Sequence, residues 1–589
     1  MPVARTHSIA LVGVEGHPVE IETDIANGLP GLLLVGLPDT ALREARDRIR
    51  AAIVNSHEEW PGRRITVGLS PASLPKRGSG FDVGIAVSIL AAAGTVPPAT
   101  IDGVAFIGEL GLDGRMRPVL GVLPAVAAAA GAGFQKVAVA EANSAEAALV
   151  PGLQVAGAPS LSALLAWLRR ERGSGEAALV RVTEGGAPPP ATVPPATVPL
   201  ATAPPGASEP CTPRDAGPAG VAALGGGGGQ VSGSGPPIAL RPGPRRGRRP
   251  LPGGGEPLRP GQAPAGPPRP RPDLADVLGQ PTARRAAEIC AAGGHHLSLL
   301  GPPGAGKTML AERIPTIMPS LDRAAALEVT SIHSVAGSLP TGGPLLSEPP
   351  FCAPHHTATK AAIVGGGSGI IRPGAASLAH RGCLFLDEAP EFAPEVLDAL
   401  RQPLESGEVV IARAGITARF PARFTLVLAA NPCPCARGMA PLSPCICTPT
   451  ARRRYLARLS GPLLDRVDVK VGFLPVSRAE LLSDRGFTEP SSVVAARVGA
   501  ARERAAARLK DTPWRLNGEV PGSELRRTFP PAPGALVPLE RAMDLGEISA
   551  RGVDRVLRVA WTLADLAGAP RPTVAETGYA LGLWLGVGT

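Results

Sequence analysis

Gly301-Pro302-Pro303-Gly304-Ala305-Gly306-Lys307-Thr308 is the stretch whose reading decides the fold of this 589-residue chain. It keeps the spacing G-x-x-x-x-G-K-[ST]. The apolar run His296-Leu297-Ser298-Leu299-Leu300 before it predicts a buried strand, and Met309 to Ile317 after it carries apolar residues at helical spacing. Strand, glycine-rich loop and helix in that order make a polyphosphate cradle. Glycines let backbone N–H groups face the phosphates, and the helix N-terminus adds a positive dipole end. On this reading Gly301 through Thr308 bind ATP or GTP, Lys307 reaches the β- and γ-phosphates, and the Thr308 hydroxyl ligates Mg²⁺. Without the flanking strand and helix the same letters would be only a glycine-rich turn.

A second segment supplies the partner such a loop needs. Cys383-Leu384-Phe385-Leu386-Asp387-Glu388 is four apolar residues ending in two carboxylates. A buried strand of this kind delivers Asp387 beside the loop to hold Mg²⁺, and leaves Glu388 to orient or deprotonate an attacking water. Val427-Leu428-Ala429-Ala430-Asn431 is another expected buried strand, ending in an amide.

The chain is too long for one hydrophobic core, and length alone suggests about three or four domains. Its 73 Gly and 68 Pro are concentrated, not spread. So is the charge: of a formal +9, a net +7 falls between Ile238 and Arg271, eight arginines against Glu256. A basic balance held in one stretch is no argument that a folded surface binds nucleic acid. No apolar run approaches 18 residues, and Met1 to His7 lacks a signal-peptide apolar region. A soluble cytoplasmic protein with no membrane partner is the expectation. The eight cysteines, in a reducing compartment, then point to metal ligation ahead of disulfides.

Residues 1–171 read as one α/β unit. Strands are expected at Ser8–Val14, Val19–Thr23, Gly31–Val35, Arg64–Leu69, Gly103–Gly108 and Lys136–Ala140. Helices are expected from Asp39 and over Asp82–Ala92, Val122–Ala130 and Leu161–Arg169, and Leu110–Arg115 holds an Asp-Gly hairpin signal. From 172 to 272, repeats such as Pro-Pro-Ala-Thr-Val-Pro and the run Gly225–Gly229 leave almost no large apolar residue. This composition predicts a disordered linker. Its Arg245-Arg246-Gly247-Arg248-Arg249 cluster would either touch nucleic-acid phosphates nonspecifically or stay solvated.

The first unit also carries Gly36-Leu37-Pro38-Asp39, Asn55-Ser56, Ser70-Pro71-Ala72, Pro75-Lys76-x-Gly78, Phe81-Asp82 and Phe106-Ile107-Gly108-Glu109-Leu110. With Asn431-Pro432-Cys433-Pro434-Cys435 in the second half, the chain resembles the YifB/ComM family of magnesium-chelatase-like ATPases. The resemblance covers about residues 1–170 and 272–589 and fails over the linker, which in that family is usually shorter. It implies an α/β architecture: an N-terminal Lon-protease-like (ribosomal S5 domain 2-like) domain at 1–171 and the linker at 172–272. A P-loop AAA+ core with a parallel sheet follows at 273–475, and a small C-terminal helical lid at 476–589. A Lon-type protease would need a serine after P-K-x-G-x and a lysine in the helix after the hairpin. Those places fall on Gly80 and Pro124, with Ser79 one residue off, so the domain is read as non-proteolytic.

The same resemblance puts the adenine near Val277 and Gly279 and makes Asn431 the sensor 1 residue beside the γ-phosphate. Arg466, in Gly461-Pro462-Leu463-Leu464-Asp465-Arg466-Val467-Asp468, matches the arginine finger that acts in trans on the neighbouring subunit's ATP. An ion pair within the subunit, to Asp465 or Asp468, is the other reading of Arg466. Ser549-Ala550-Arg551 opens a helix through Val556, Leu557, Ala560, Leu563 and Leu566 that looks like the sensor 2 helix, with Arg551 as phosphate contact and Arg555 as its substitute. The implied catalytic set is Lys307, Glu388, Asn431, Arg466 and Arg551; the implied cofactors are ATP and Mg²⁺; and the implied assembly is a homo-hexamer. Pro354-His355-His356-Thr357-Ala358 and Val364-Gly365-Gly366-Gly367 fall in the family's pore-facing insert, a mobile substrate-facing element. A zinc reading of the histidine pair lacks further ligands at suitable spacing.

The function so implied is a motor that moves DNA, a helicase promoting branch migration in uptake and recombination. The competing reading is a chelatase-type ATPase that remodels a protein partner for metal insertion into a tetrapyrrole, although no integrin-like domain or acidic linker is visible. Cys433-x-Cys435 and Cys445-x-Cys447, separated by a Pro- and Gly-rich loop, supply four thiols. They suit tetrahedral Zn²⁺, yet C-x-C is tighter than the usual C-x₂-C, so structural zinc, disulfides and unligated thiols all stay open.

Overall fold

The computed structural model describes residues 3–36, 39–76, 78–169, 180–184, 271–340, 343–367, 371–413, 416–435, 445–476, 484 and 488–586. In its N-terminal part β1 (Ala4–Val12) turns through Gly13 into β2 (Glu15–Ala26), antiparallel, with Val12 opposite Glu15. Along β2 Val19, Ile21, Thr23 and Ile25 are buried and their neighbours are not, the period of two that a half-buried strand requires. β3 (Gly31–Val35), β4 (Arg64–Ser70) and β5 (Val104–Ile107) follow. The Asp-Gly signal yields the small hairpin of β6 (Glu109–Leu110) and β7 (Met116–Arg117). β8 (Lys136–Ala140), β9 (Gln154–Ala158) and β10 (Arg181–Glu184) complete a mixed sheet ordered β10-β9-β8-β5-β1-β2-β4-β3.

Adjacent residues of one strand feed opposite cores. Phe106 and Ala138 pack under helices Asp39–Asn55 and Asp82–Ala92, whereas Ala105, Ile107, Val137 and Val139 pack under helix Val122–Gly131. Every residue of Asp82–Ala92 is buried, as an all-round apolar helix must be. Truncating Ile85 or Ile89 there would cost about 2–5 kcal/mol. Burial pushes the Asp82 carboxyl up to about 6 even though the Arg48 guanidinium, 2.9 Å away, favours its charged form.

β10 corrects the expected linker boundary. Residues 181–184 pair antiparallel with β9, Arg181 opposite Gly157, and Val180 is buried. The short Val-Arg-Val-Thr alternation was masked by the composition around it. The rest of the expected linker up to residue 270, with its arginine cluster, lies outside the described residues, as do Leu37, Pro38 and Arg77.

The second sheet is all parallel. β11 (Leu297–Leu300), β12 (Phe351–Cys352), β13 (Cys383–Leu386), β16 (Thr425–Ala430) and β17 (Val469–Gly472) lie in the order β12-β13-β16-β11-β17. Every residue of β13 and β16 is buried, which suits parallel strands covered on both faces. A separate hairpin, β14 (Glu408–Arg413) with β15 (Ile416–Pro421), precedes β16. The C-terminal helices Ser491–Arg508, Val537–Asp544, Ala550–Ala567 and Val574–Leu585 share one apolar cluster with this sheet. In it Val498, Leu557, Trp561 and Leu583 meet Leu299, Ile314 and Val471.

Helix Val122–Gly131 also packs on helix Arg323–Ala336. There the Gly121 N–H donates to the Ser334 carbonyl at 3.2 Å and the Ser334 hydroxyl donates to Glu146. Gly13 (φ +69°) lies so close to β15 that a Cβ on it would sit 2.6 Å from the Arg419 carbonyl oxygen. Among the described residues no helix is long and apolar enough to cross a membrane.

Candidate nucleotide site

The phosphate-loop stretch occupies the C-terminal end of β11, as its flanks predicted. Gly301 cannot carry a side chain, since a Cβ there would lie 2.5 Å from Phe473 Cβ; Gly304 and Gly306 have φ of +76° and +98°. Helix Lys307–Ile317 starts at once after Gly306, two residues earlier than its apolar spacing indicated.

Lys307 is buried, and its ammonium donates to the Gly301 carbonyl at 2.7 Å, the Pro302 carbonyl at 2.8 Å and Asn431 Oδ1 at 3.1 Å. Burial lowers its pKa, while Asp387 and Glu388 oppose that shift. Asn431 follows β16, the strand lying between β11 and β13, so topology alone sets its amide between the loop and Asp387. The Thr308 hydroxyl donates to Asp387 Oδ2 at 2.8 Å. Two adjacent hard oxygen donors fit a magnesium ion. Glu388 takes a left-handed backbone (φ +50°, ψ +42°), and its Oε2 lies 3.3 Å from His356 Nδ1.

Val277 and Gly279 stand where the chain enters this region. The turn Leu274–Asp276 is tied to the phosphate-loop helix by Arg313, which donates to the Asp273 carbonyl and to Asp276, both at 2.7 Å. Val277 is buried. Gly279 (φ +67°) donates its N–H to Asp484 at 2.6 Å, and a Cβ on it would lie 2.1 Å from Val476 Cγ1.

The arginines are placed differently. Arg466 pairs with Glu405 and donates to the Pro462 carbonyl, while its Nε is buried without a partner. The expected alternatives, Asp465 and Asp468, are not its partners. Asp468 is buried and taken by Arg555 Nη1 at 3.0 Å, the His296 N–H at 3.0 Å and His295 at 3.8 Å. Burial pushes this carboxyl up, but the Arg555 guanidinium and His295 outweigh that and hold it far below the usual range. Asp468 precedes β17, so Arg555 sits at the end of the sheet away from the phosphate loop and cannot substitute for Arg551 at this chain's own loop. Arg551 itself is exposed in the first turn of helix Ala550–Ala567.

The four predicted cysteines converge. Cys433 Sγ is 3.3 Å from Cys435 Sγ and 3.4 Å from Cys445 Sγ, Cys435 and Cys445 are 3.5 Å apart, and all four ligand atoms including Cys447's lie within 4.8 Å. None of the four sulfurs is bonded to another in this structure. Sulfurs held about 2.3 Å from a zinc ion stand roughly 3.8 Å from one another, so the set fits. Burial and the neighbouring thiols push Cys433 up to about 12, whereas the Cys447 N–H draws Cys445 down. Residues 436–444 between the pairs lie outside the described residues.

In the N-terminal part Ser79 donates to Glu109, and the buried Lys76 donates to the Pro71 and Leu74 carbonyls. Helix Val122–Gly131 holds no lysine. Sequence reasoning missed the His356–Glu388 contact. No local signal could have found it: His356 follows β12, and only the structure shows that β12 lies beside β13, which leads to Glu388.

Comparison with known proteins agrees along the chain. Profiles described as magnesium chelatase subunit ChlI match residues 273–481, as subunit ChlI of Mg-chelatase residues 21–143, and as its C-terminal region residues 488–583. An uncharacterized protein of Mycobacterium tuberculosis is 45% identical over 583 residues, 99% of this chain and 98% of its own. YifB of Escherichia coli is 36% identical, covering 96% and 94%, and competence protein ComM of Haemophilus influenzae 35% identical, covering 98% and 97%. The chain belongs to the YifB/ComM family of magnesium-chelatase-like proteins and is a AAA+-type ATPase.

Proposed function

We propose that this protein is an ATP-hydrolysing hexameric AAA+ motor acting on DNA, a branch-migration helicase in DNA uptake and recombination. The observation that carries the ATPase part is the meeting of Lys307, Thr308, Asp387 and Asn431 at the ends of three neighbouring parallel strands. The DNA part rests on a full-length relative named a competence protein. The competing reading, an ATPase that remodels a protein partner as in magnesium chelatase, rests on the profile descriptions.

In this reading Lys307 exchanges its loop carbonyls and Asn431 for β- and γ-phosphate oxygens, and Val277 and Gly279 flank the adenine. Mg²⁺, when bound, neutralises phosphate charge and is held by Thr308 and Asp387. Asn431 is the sensor beside the γ-phosphate, and Glu388 accepts a proton from the attacking water. Arg466 acts in trans on the neighbouring subunit's ATP, which requires a ring, and Arg551 is the phosphate contact of the sensor 2 helix. The N-terminal part, extended through β10 to residue 184, forms a Lon-like, non-proteolytic domain, 273–475 the motor core and 476–589 its helical lid, in a cytoplasmic protein. The four thiols hold a structural Zn²⁺.

ATPase activity of the full chain with and without forked DNA tests this. Stimulation by DNA and strand displacement, both lost in Lys307→Ala, are expected. A hexamer whose hydrolysis ignores DNA and which separates no strands refutes the helicase.

A further inference from the structure

A cavity of about 700 Å³ lies between the C-terminal helices and the ends of the sheet where β11, β13, β16 and β17 begin. Its wall includes His296, Gly382, Thr425 and Asp468, residues at or just before those strand starts, so it sits at the opposite end of the strands from the phosphate loop. Four carboxylates and six arginines stand on this wall, and every one of the carboxylates is already engaged. Asp468 holds Arg555 at 3.0 Å and Glu405 holds Arg466, while Asp322 and Glu519 lie 3.6 and 4.0 Å from Arg515 and Arg423. Arg381 turns to Glu328 at 3.3 Å. Arg502 and Arg558 are left over.

Arg502, on helix Ser491–Arg508, donates Nε and Nη2 to one acceptor, the Ala291 carbonyl, at 2.9 and 2.6 Å. Arg558, on helix Ala550–Ala567, donates only its Nε, to the Val520 carbonyl at 2.7 Å. Among the described residues neither forms an ion pair, and Nη1 of Arg502 and both Nη atoms of Arg558 have no partner. Burial lowers the pKa of both, Arg502 to about 10, and the carboxylates that oppose the shift, Glu519 for one and Asp468 and Asp554 for the other, act from beyond contact. A guanidinium drawn out of water is seldom left so, because its desolvation is offset only by a counter-charge. The unused donors of a planar fork match phosphate oxygens in pairs. We propose that this cavity is a second anion site, separate from the phosphate loop, that takes a small oligophosphate between Arg502 and Arg558. Arg423 and Arg515, whose own ion pairs are long, can turn to the same ligand. A ligand held there ties the C-terminal helices to the start of the sheet.

The probe is inorganic pyrophosphate without Mg²⁺, at ionic strength matched with chloride, added to the full chain carrying Lys307→Ala so that the phosphate loop is silenced. Calorimetric titration should find a single site per chain, and a hundredfold excess over Kd should raise Tm by about 5 °C. Adding Arg502→Met or Arg558→Met should weaken binding at least about tenfold and remove most of that rise. Arg502→Lys, which keeps the charge without the fork, should retain part of it. If the two guanidiniums only cap their carbonyls, the methionine variants melt lower in plain buffer and keep the full pyrophosphate rise, which overturns the site. Pyrophosphate binding that is present with Lys307 and absent in Lys307→Ala also overturns it, because the phosphate loop would then be the receptor. Binding confined to concentrations at which chains assemble overturns it as well, since the ligand would then need a neighbouring chain.

Discussion

Asp468→Asn should destabilise the ATPase part more than any surface change nearby. The carboxylate is 1% exposed and receives Arg555 at 3.0 Å and the His296 N–H at 3.0 Å, with His295 Nδ1 at 3.8 Å. The substitution keeps the volume and removes the charge, leaving Arg555 uncompensated in the space between the last helices and the sheet. Breaking one side of a buried pair costs about 3–5 kcal/mol. For a unit of this size that lowers Tm by about 6–10 °C, at roughly 2 °C per kcal/mol. The pH dependence has a definite sign. The folded pKa is depressed, so the contribution is complete above the unfolded value, about 3.9, and fades as pH falls toward the folded one. The gap between wild type and Asp468→Asn should stay constant from about pH 5 to 8 and narrow below about pH 4. In a double-mutant cycle with Arg555→Met, the pair should cost less than the sum by about 1–3 kcal/mol. A Tm drop under about 2 °C, or strict additivity of the two changes, refutes the coupling.

Three further outcomes are expected. Asn431→Ala removes one acceptor from Lys307 and should lower kcat about 100-fold or more with a smaller change in KM; steady-state ATPase assays read this, and an unaltered kcat contradicts it. Gly279→Ala forces a methyl to 2.1 Å from Val476 at a positive φ and should cost about 1–3 kcal/mol in thermal melts; a neutral change would show that the entry turn yields. Cys445→Ser should strip tightly held zinc from the purified protein, measured by plasma mass spectrometry against wild type at about one ion per chain. Equal metal content in the two would dismiss the site.

What could be read in advance was what short range dictates. The spacing from Gly301 to Thr308 specifies both strand end and helix start, and the apolar runs before Asp387 and Asn431 are long enough to be buried strands. β10 was not legible, because four alternating residues beside a Pro-rich stretch weigh little in composition. The partners of Arg466 and Arg555 were not legible either. Glu405 precedes Arg466 by 61 residues and Asp468 precedes Arg555 by 87, and nothing local ranks such distant carboxylates. The cysteine quartet could be foreseen as a set, since two C-x-C pairs bring their own proximity. The His356–Glu388 contact escaped because it depends on which strand neighbours β13, a fact of topology.

The docking of Gly13 against β15 and of Gly121 against Ser334 has an architectural consequence. At Gly13 a Cβ would sit 2.6 Å from the Arg419 carbonyl oxygen of the facing hairpin, and at Gly121 it would meet Leu11 at 2.4 Å and the facing Val335 side chain at 3.3 Å. The alignment of the N-terminal sheet with the ATPase part is thereby written into these facing surfaces. A single methyl at Gly13 would be enough to force these two surfaces apart.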